Sequence, residues 1–249
     1  MSILARVSAA LFILSLPLFL VTTNVRVLAS DAGFYQRGLR NYNAAETTGI
    51  ALPELDRASA EIIDYFENDA GTLRILVNEG GQEASLFNAR ETDHMRDVKT
   101  LMRIVFRANE ASMAFILVYI TTVFLWARER SLRSLAWLGL GGVAAGVVFV
   151  AAIGAVAALG GFDQAWDQFH ELVFANDFWR LNPDTDHLIQ MFPEPFWQDA
   201  TVIAGALTIA EAMMVSALAS GYLFATRKRD RPGNARANLS RRTGAVERY

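Results

Sequence analysis

Apolar residues gather into four runs along this chain, at 4–23, 111–126, 135–159 and 201–224, separated by stretches rich in charge and turn residues. About 20 mostly apolar residues in a helix cross the hydrocarbon of a bilayer. Each run therefore predicts a membrane span, and the second, the shortest, is expected to extend backwards.

Between the first two runs the periodicity changes twice. Pro53 opens a helical stretch in which Ala60, Ile62, Ile63 and Phe66 can share a face, ending near Asn68. Leu73, Ile75 and Val77 then alternate with Arg74 and Leu76, and Asn78, Glu79, Gly80 and Gly81 supply turn chemistry ahead of Ala84, which predicts a β-hairpin. Asn88 with Glu91 three positions later resembles a capping box at the start of a long helix. That helix carries Lys99, Arg103 and Arg107 at four-residue spacing, the pattern of an amphipathic stretch at a membrane surface.

Charge sets the expected orientation. Arg128, Arg130 and Arg133 fill the link between spans two and three, and Arg227, Lys228, Arg229, Arg231, Arg236, Arg241 and Arg242 follow span four. Basic residues beside spans stay in the cytoplasm, so both termini are expected inside and 30–110 and 160–200 outside. The fold class implied is an all-α membrane protein with four transmembrane helices. A small, mostly helical extracytoplasmic domain with a possible β-hairpin sits between spans 1 and 2. The expected pieces are a first span (1–29), outer domain (30–110), second span (111–127), cytoplasmic loop (128–134), third span (135–159), outer loop (160–200), fourth span (201–224) and basic tail (225–249). The tail holds little apolar residue and is expected to be disordered.

A cleaved signal peptide is the competing reading of the first run, since Val27-Leu28-Ala29 can pass as a cleavage site, with Asn24 and Arg26 between it and the apolar run speaking against it. Pro17 can kink this helix. Gly142 and Gly146 form a small-xxx-small pair suited to close helix packing.

The chain has no cysteine, which excludes thiol nucleophiles and thiolate metal ligands. Its three histidines, His94, His170 and His187, all fall in the two outer segments. Helical spacing puts Arg90, His94 and Asp97 on one side of a helix, where Asp97 can orient the imidazole; the bland alternative is a solvated polar face. His170 lies among Phe162, Trp166, Phe169, Phe174, Phe178 and Trp179, either as chemistry at headgroup depth or as a hydrogen-bonded histidine in an aromatic belt. The stretch 176–199 reads as an ordered loop lying on the membrane. Asp184, Asp186 and His187 suggest a cation site or, alternatively, caps and solvated acids. Glu211, inside span four, is a functional candidate or a hydrogen-bonded packing residue. There is no Gly-x-Ser-x-Gly elbow, His-Glu-x-x-His pair or phosphate-cradling glycine loop, and Lys99 occupies the position where a His-x4-Asp acyltransferase motif needs Asp.

The segment at 87–99, Phe169-His170, and Asn176-Asp177-Phe178-Trp179 running on to Phe192-Pro193-Glu194 together resemble the lipoprotein intramolecular transacylase family of bacterial membrane proteins. The resemblance implies movement of an acyl chain from the diacylglycerol of a lipoprotein to the α-amine of its own N-terminal cysteine. It implies two essential outward histidines matching His94 and His170, diacylglyceryl lipoproteins and membrane lipids as partners, no cofactor or metal, and no nucleic acid. Intramolecular aminolysis gains from proximity and needs no enzyme nucleophile. On this reading His94, oriented by Asp97, is the base and His170 protonates the leaving oxygen or stabilises the oxyanion, with the roles exchangeable. Arg90 or Arg96 binds the oxyanion or a lipid phosphate, and Trp166, Phe169 and Trp179 cradle acyl chains. The rival readings are a metal-dependent membrane hydrolase using His94, Asp97 and His170 as ligands, and a non-catalytic membrane scaffold.

Overall fold

The computed structural model describes residues 3–79, 81–126 and 129–229. The expectations for Gly80, for Arg128 and for the tail beyond 229 lie outside the described residues. The described chain is helical apart from one hairpin: α1 (Ile3–Ala29), α2 (Ala32–Asn41), α3 (Ala44–Thr48), α4 (Leu52–Glu67), β1 (Leu76–Glu79), β2 (Gln82–Ser85), α5 (Ala89–Trp126), α6 (Glu129–Gly160), α7 (Phe162–Val173), α8 (His187–Met191) and α9 (Glu194–Arg229). Helices α1, α5, α6 and α9 are long and apolar enough to cross a membrane. They exceed the four apolar runs: α1 continues through Asn24 and Arg26 to Ala29, α5 starts 22 residues before Ala111, and α6 absorbs most of the expected loop at 128–134.

The chain divides into two compact units. The first takes Met1–Pro17, Met113–Val147 and Ile209–Tyr249. Its buried centre is Leu16, Val143 and Ala212. Gly142 and Gly146 do pack closely: a Cβ on Gly142 would lie 3.1 Å from the Ile13 carbonyl oxygen and from Leu16, and one on Gly146 would lie 3.0 Å from Pro17. The missing side chains let backbones approach without a clash.

The second unit, Leu18–Ser112 and Val148–Thr208, holds the larger core. On α4, Leu55, Ala58, Ser59, Ile62, Tyr65 and Phe66 are buried, a stripe at spacings of three and four. Ala60, expected on that face, is exposed; the apolar stripe starts at Leu55 and runs one side further round. The hairpin is antiparallel with Leu76 opposite Ser85 and Glu79 opposite Gln82. Leu73, Ile75 and Val77 point inward while Leu76 is exposed, as period-two alternation requires. Gly81 closes the turn at φ +90°, a left-handed conformation that glycine adopts freely, and its N–H donates to Asn78 Oδ1.

Helices α2 and α3 had no strong sequence signal. Asp31 caps α2 through the Gly33 N–H, and α2 packs Phe34 and Tyr35 against Phe196 of α9 and Tyr35 against Phe192 just after α8, with Leu39 buried in the same core. Gly38 faces the Phe196 ring so closely that a Cβ would fall 2.4 Å from Phe196 Cδ2. Gly38→Val is therefore expected to lower the thermal midpoint of the detergent-solubilised protein, because overpacking a core costs about 1–3 kcal/mol; an unchanged midpoint would mean the ring moves freely. Lys99 is also buried, its ammonium donating to Asn68 Oδ1 (3.1 Å) and the Ala70 carbonyl (2.6 Å) and lying 3.9 Å over the Tyr65 ring. The residue at the would-be motif Asp position thus anchors the chain after α4.

Polar contacts tie turns of three long helices, α1, α5 and α9, within this unit. Asn24 Nδ2 donates to Thr208 Oγ1 (3.0 Å), Asn109 Nδ2 to Thr22 and Thr23 hydroxyls (3.2 and 2.7 Å), and Arg26 pairs with Glu110 at 2.9 Å. Buried amides with partners fix helix register.

Candidate functional site

Helix α5 begins with a reciprocal capping box: Glu91 N–H donates to Asn88 Oδ1 (3.0 Å) and Asn88 N–H donates to Glu91 Oε2 (2.7 Å). The other Glu91 oxygen accepts from the Leu188 N–H at 2.7 Å, so one buried carboxylate also holds α8. Burial pushes the Glu91 carboxyl up, opposed by those two backbone donors. This fixed start aims the next turns of α5, and His94 arrives on a buried side of the helix, 8% exposed.

Gly161, at φ +88°, breaks the chain between α6 and α7. Along α7 the residues Phe162, Trp166, Phe169 and His170 recur at helical spacing, and His170 is the buried one. Phe162, Trp166 and Phe169 stack in a row, and Trp166 stacks on Trp197 of α9 with ring centres 5.3 Å apart.

The two imidazole rings lie 6.0 Å apart, centre to centre. Phe174 touches both, edge-on to His94 at 5.3 Å and tilted to His170 at 5.6 Å. Trp166 and Phe169 present edges to His170 and Trp179 stacks on it at 4.9 Å. His170 Nδ1 lies 2.8 Å from the Trp166 carbonyl oxygen. A carbonyl can only accept, so Nδ1 carries the proton and Nε2 keeps its lone pair. Among the described residues no hydrogen bond holds the His94 ring.

Residues 174–182 are held over this pair from both sides. Asn176 Nδ2 donates to Asp97 Oδ2 (2.8 Å) and Arg90 donates to the Asp177 carbonyl (2.6 Å). Arg180 pairs with Glu171 at 2.9 Å and lies over the Trp179 ring. The Asp97 carboxylate is thus bound to Asn176 rather than to the His94 ring, and acts on that ring through its charge alone.

Burial lowers the His94 imidazole to about 4, reinforced by the neighbouring His170 and opposed by Asp97. Burial also lowers His170, against the Trp166 carbonyl and Asp167. Both rings are therefore neutral near pH 7. Two uncharged imidazoles in an aromatic enclosure can take up, pass on and return a proton.

Of the residues singled out by sequence, His94, His170, Asp97, Trp166, Phe169 and Trp179 come together here, with Arg90 at the exposed edge. Arg96 instead points outward and pairs with Asp93 at 2.9 Å. The stretch 176–199 contains α8 and the first turn of α9. Asp186 stands at the N-cap position of α8 without a side-chain cap bond; its carboxylate accepts instead from the Asn182 N–H (2.7 Å) and Asn88 Nδ2 (2.9 Å), and His187 Nδ1 bonds the Leu86 carbonyl. Glu211 belongs to the first unit. Sequence reasoning missed Asn176 as the Asp97 partner and the second role of Glu91, since both join positions about 80 to 100 residues apart.

Residues 10–197 match the family "Lipoprotein intramolecular transacylase Lit". The chain belongs to that family. The match takes in both histidines and the whole aromatic enclosure. Among solved structures, the membrane-integral Lit of Bacillus cereus is similar at a TM-score of 0.73 and 17% identity, over 90% of this chain and 97% of that one. A variant of that protein with a histidine replaced by alanine is similar at a TM-score of 0.70 and 18% identity, over 90% of this chain and 95% of that one. At such identity the likeness speaks for the fold. An uncharacterized protein of Aquifex aeolicus is 27% identical over 129 residues, 52% of this chain and 54% of that protein, so the match spans about half the length of this curated relative. The Lit match and the four long apolar helices make this chain a multi-pass membrane protein.

Proposed function

We propose that this Lit-family chain moves an acyl chain from the diacylglycerol of a bacterial lipoprotein to the α-amine of its N-terminal cysteine, with His94 and His170 transferring the proton on the extracytoplasmic face of the cytoplasmic membrane. The observation that carries the reading is the pair of buried imidazoles 6.0 Å apart inside an aromatic enclosure. Membrane lipids and diacylglyceryl lipoproteins are the partners this chemistry requires.

The amine nitrogen attacks the ester carbonyl, the N–C bond forms, and the C–O bond to the glycerol breaks. The amine proton goes first to an imidazole and then to the departing glycerol oxygen. His170 suits the base role better than His94, because its Nδ1–H is committed to the Trp166 carbonyl and Nε2 is left to accept. His94, free to present an N–H, then steadies the oxyanion. Asp97 contributes charge beside His94 and holds Asn176. Arg90, at the edge of the enclosure, is the cation for a lipid phosphate; Arg96, bound to Asp93, is the weaker candidate. Trp166, Phe169 and Trp179 offer the apolar wall for acyl chains.

Mass spectrometry of N-terminal lipopeptides tests this, in a host lacking its own N-acylation step. The protein is expected to generate the N-acyl lyso form, and His94→Ala and His170→Ala to slow its formation by about 10²-fold or more. Unchanged diacylglyceryl peptides with the well-expressed protein would overturn the reading.

A pH dependence follows. The folded His94 value of about 4 lies below its ordinary 6.5, so the unfolded chain binds more protons in that window. The His94 contribution to stability is full above pH 6.5 and is lost as pH drops from 6.5 towards 4. For the rate, the substrate amine titrates near about 8, and a logarithmic rate profile is expected to bend there without a second bend near 6.5. A second bend at that pH, in profiles taken between about pH 5 and 9, would mean the histidines ionise in the ordinary range.

A further inference from the structure

Asn176 uses both ends of its amide. Its Oδ1 accepts from the Phe178 N–H (3.0 Å), which closes a local turn and fixes which way the group points. Its Nδ2 is thereby aimed across at Asp97 Oδ2, 2.8 Å away on α5. The two residues that this turn places on either side, Phe174 and Trp179, are the ones that pack on the imidazoles. Asp97 lies three residues after His94 on the same helix. The Asn176–Asp97 bond therefore connects the element carrying His94 to the segment that encloses His170.

We propose that Asn176 is a positioning residue, a latch on Asp97 that holds Phe174 and Trp179 against His94 and His170 in the geometry acyl transfer needs. The proposal rests on the transacylase reading and adds to it a residue that touches neither imidazole. A second strap, Arg90 to the Asp177 carbonyl, sits beside it. That strap depends on a backbone oxygen and is insensitive to the identity of residue 177, whereas the Asn176 bond is written in two side chains. A charge-bearing hydrogen bond of this type is worth about tenfold to a hundredfold in an equilibrium between held and released states.

Asn176→Asp separates the latch from the turn. An aspartate closes the same local turn to Phe178, so the segment keeps its own conformation. Across the gap, however, two carboxylates now face each other where a donor met an acceptor. The expected result in full-length protein is a fall of about tenfold to a hundredfold in the rate of lyso-lipopeptide formation at saturating substrate, with little change in the concentration giving half the maximal rate. Asp97→Asn alone keeps a donor–acceptor pair and is expected to lose less. The exchange variant, Asn176→Asp with Asp97→Asn, restores one donor and one acceptor with their places swapped. It is expected to recover most of the rate, which a residue needed only for local folding would not do.

A readout independent of activity accompanies these rates. Diethyl pyrocarbonate modification, followed residue by residue by mass spectrometry, reports how open His94 and His170 are, with His187 as an internal reference. Asn176→Asp is expected to speed modification of His94 and His170 relative to His187, and the exchange variant to slow it again. If the unaltered protein makes no lyso product but the modification pattern follows this order, the latch stands and the transacylase reading falls. If the unaltered protein makes product and Asn176→Asp matches it in rate and modification, the latch is refuted. A rate loss that the exchange variant does not recover also refutes it.

Discussion

His170→Ala is expected to lower the rate of lyso-lipopeptide formation by about 10³-fold to 10⁴-fold, the upper part of the range that a positioned proton-transfer group contributes. The argument rests on the Nδ1 contact to the Trp166 carbonyl at 2.8 Å, which leaves Nε2 as the accepting atom, and on an aromatic surround that holds the ring on four sides. Alanine removes the acceptor and opens a cavity beside Trp166 and Trp179. His170→Phe fills that space without an acceptor, so it separates the two effects. Both variants are expected to be inactive, with His170→Phe nearer the parent protein in thermal midpoint. His94→Ala is expected to lose about 10²-fold to 10³-fold, the cost of one oxyanion donor. Initial rates from quantitative lipopeptide mass spectrometry decide the order; a larger loss for His94→Ala than for His170→Ala would reverse the roles.

The second large effect concerns stability. Glu91→Ala is expected to destabilise the protein by about 3 kcal/mol or more, since it removes the acceptor of two backbone N–H groups. Glu91 is 1% exposed, so neither donor gains ready access to water in exchange. The Asn88 N–H loses its half of the capping box and the Leu188 N–H loses the carboxylate oxygen it donates to, which loosens α8 from the start of α5. For a chain of this size that cost corresponds to a midpoint about 6–12 °C lower. Glu91→Gln keeps one acceptor oxygen and turns an amide N–H towards the other donor, so its midpoint is expected to fall between. Differential scanning fluorimetry in detergent reads all three. A Glu91→Ala midpoint within a degree of the parent would show that water replaces the carboxylate.

The elements readable in the sequence were those encoded by local pattern. Four apolar runs gave four long helices, alternation at Leu73, Ile75 and Val77 gave the hairpin, and Asn88 with Glu91 gave the start of α5. The two histidine-centred segments carry the resemblance to the family the chain belongs to. What remained hidden depends on residues distant in sequence. Helix α2 is held by Phe192 and Phe196, more than 150 residues away, and its own ten residues carry Gly38 and three polar or charged side chains on the outside, a weak helical signal. The buried face of α4 was misplaced at Ala60 because alanine fits either side of a helix. Asp97 looked like the His94 partner because three-residue spacing puts them on one side; spacing says nothing of Asn176, which outcompetes the ring for that carboxylate.

One feature of α5 limits how such proteins can vary in length. His94 and Asn109 lie fifteen positions apart on an unbroken helix, about 22 Å along its axis. At the far end Asn109 and Glu110 are bonded to α1, and at the near end His94 faces His170. An added or lost residue between them would turn one end by about 100° relative to the other, so this interval works as a fixed ruler. At Gly81, by contrast, a Cβ would meet nothing within 4 Å. Relatives are free to lengthen or shorten that tip, while insertions and deletions between the histidine and the asparagine should be purged from the lineage.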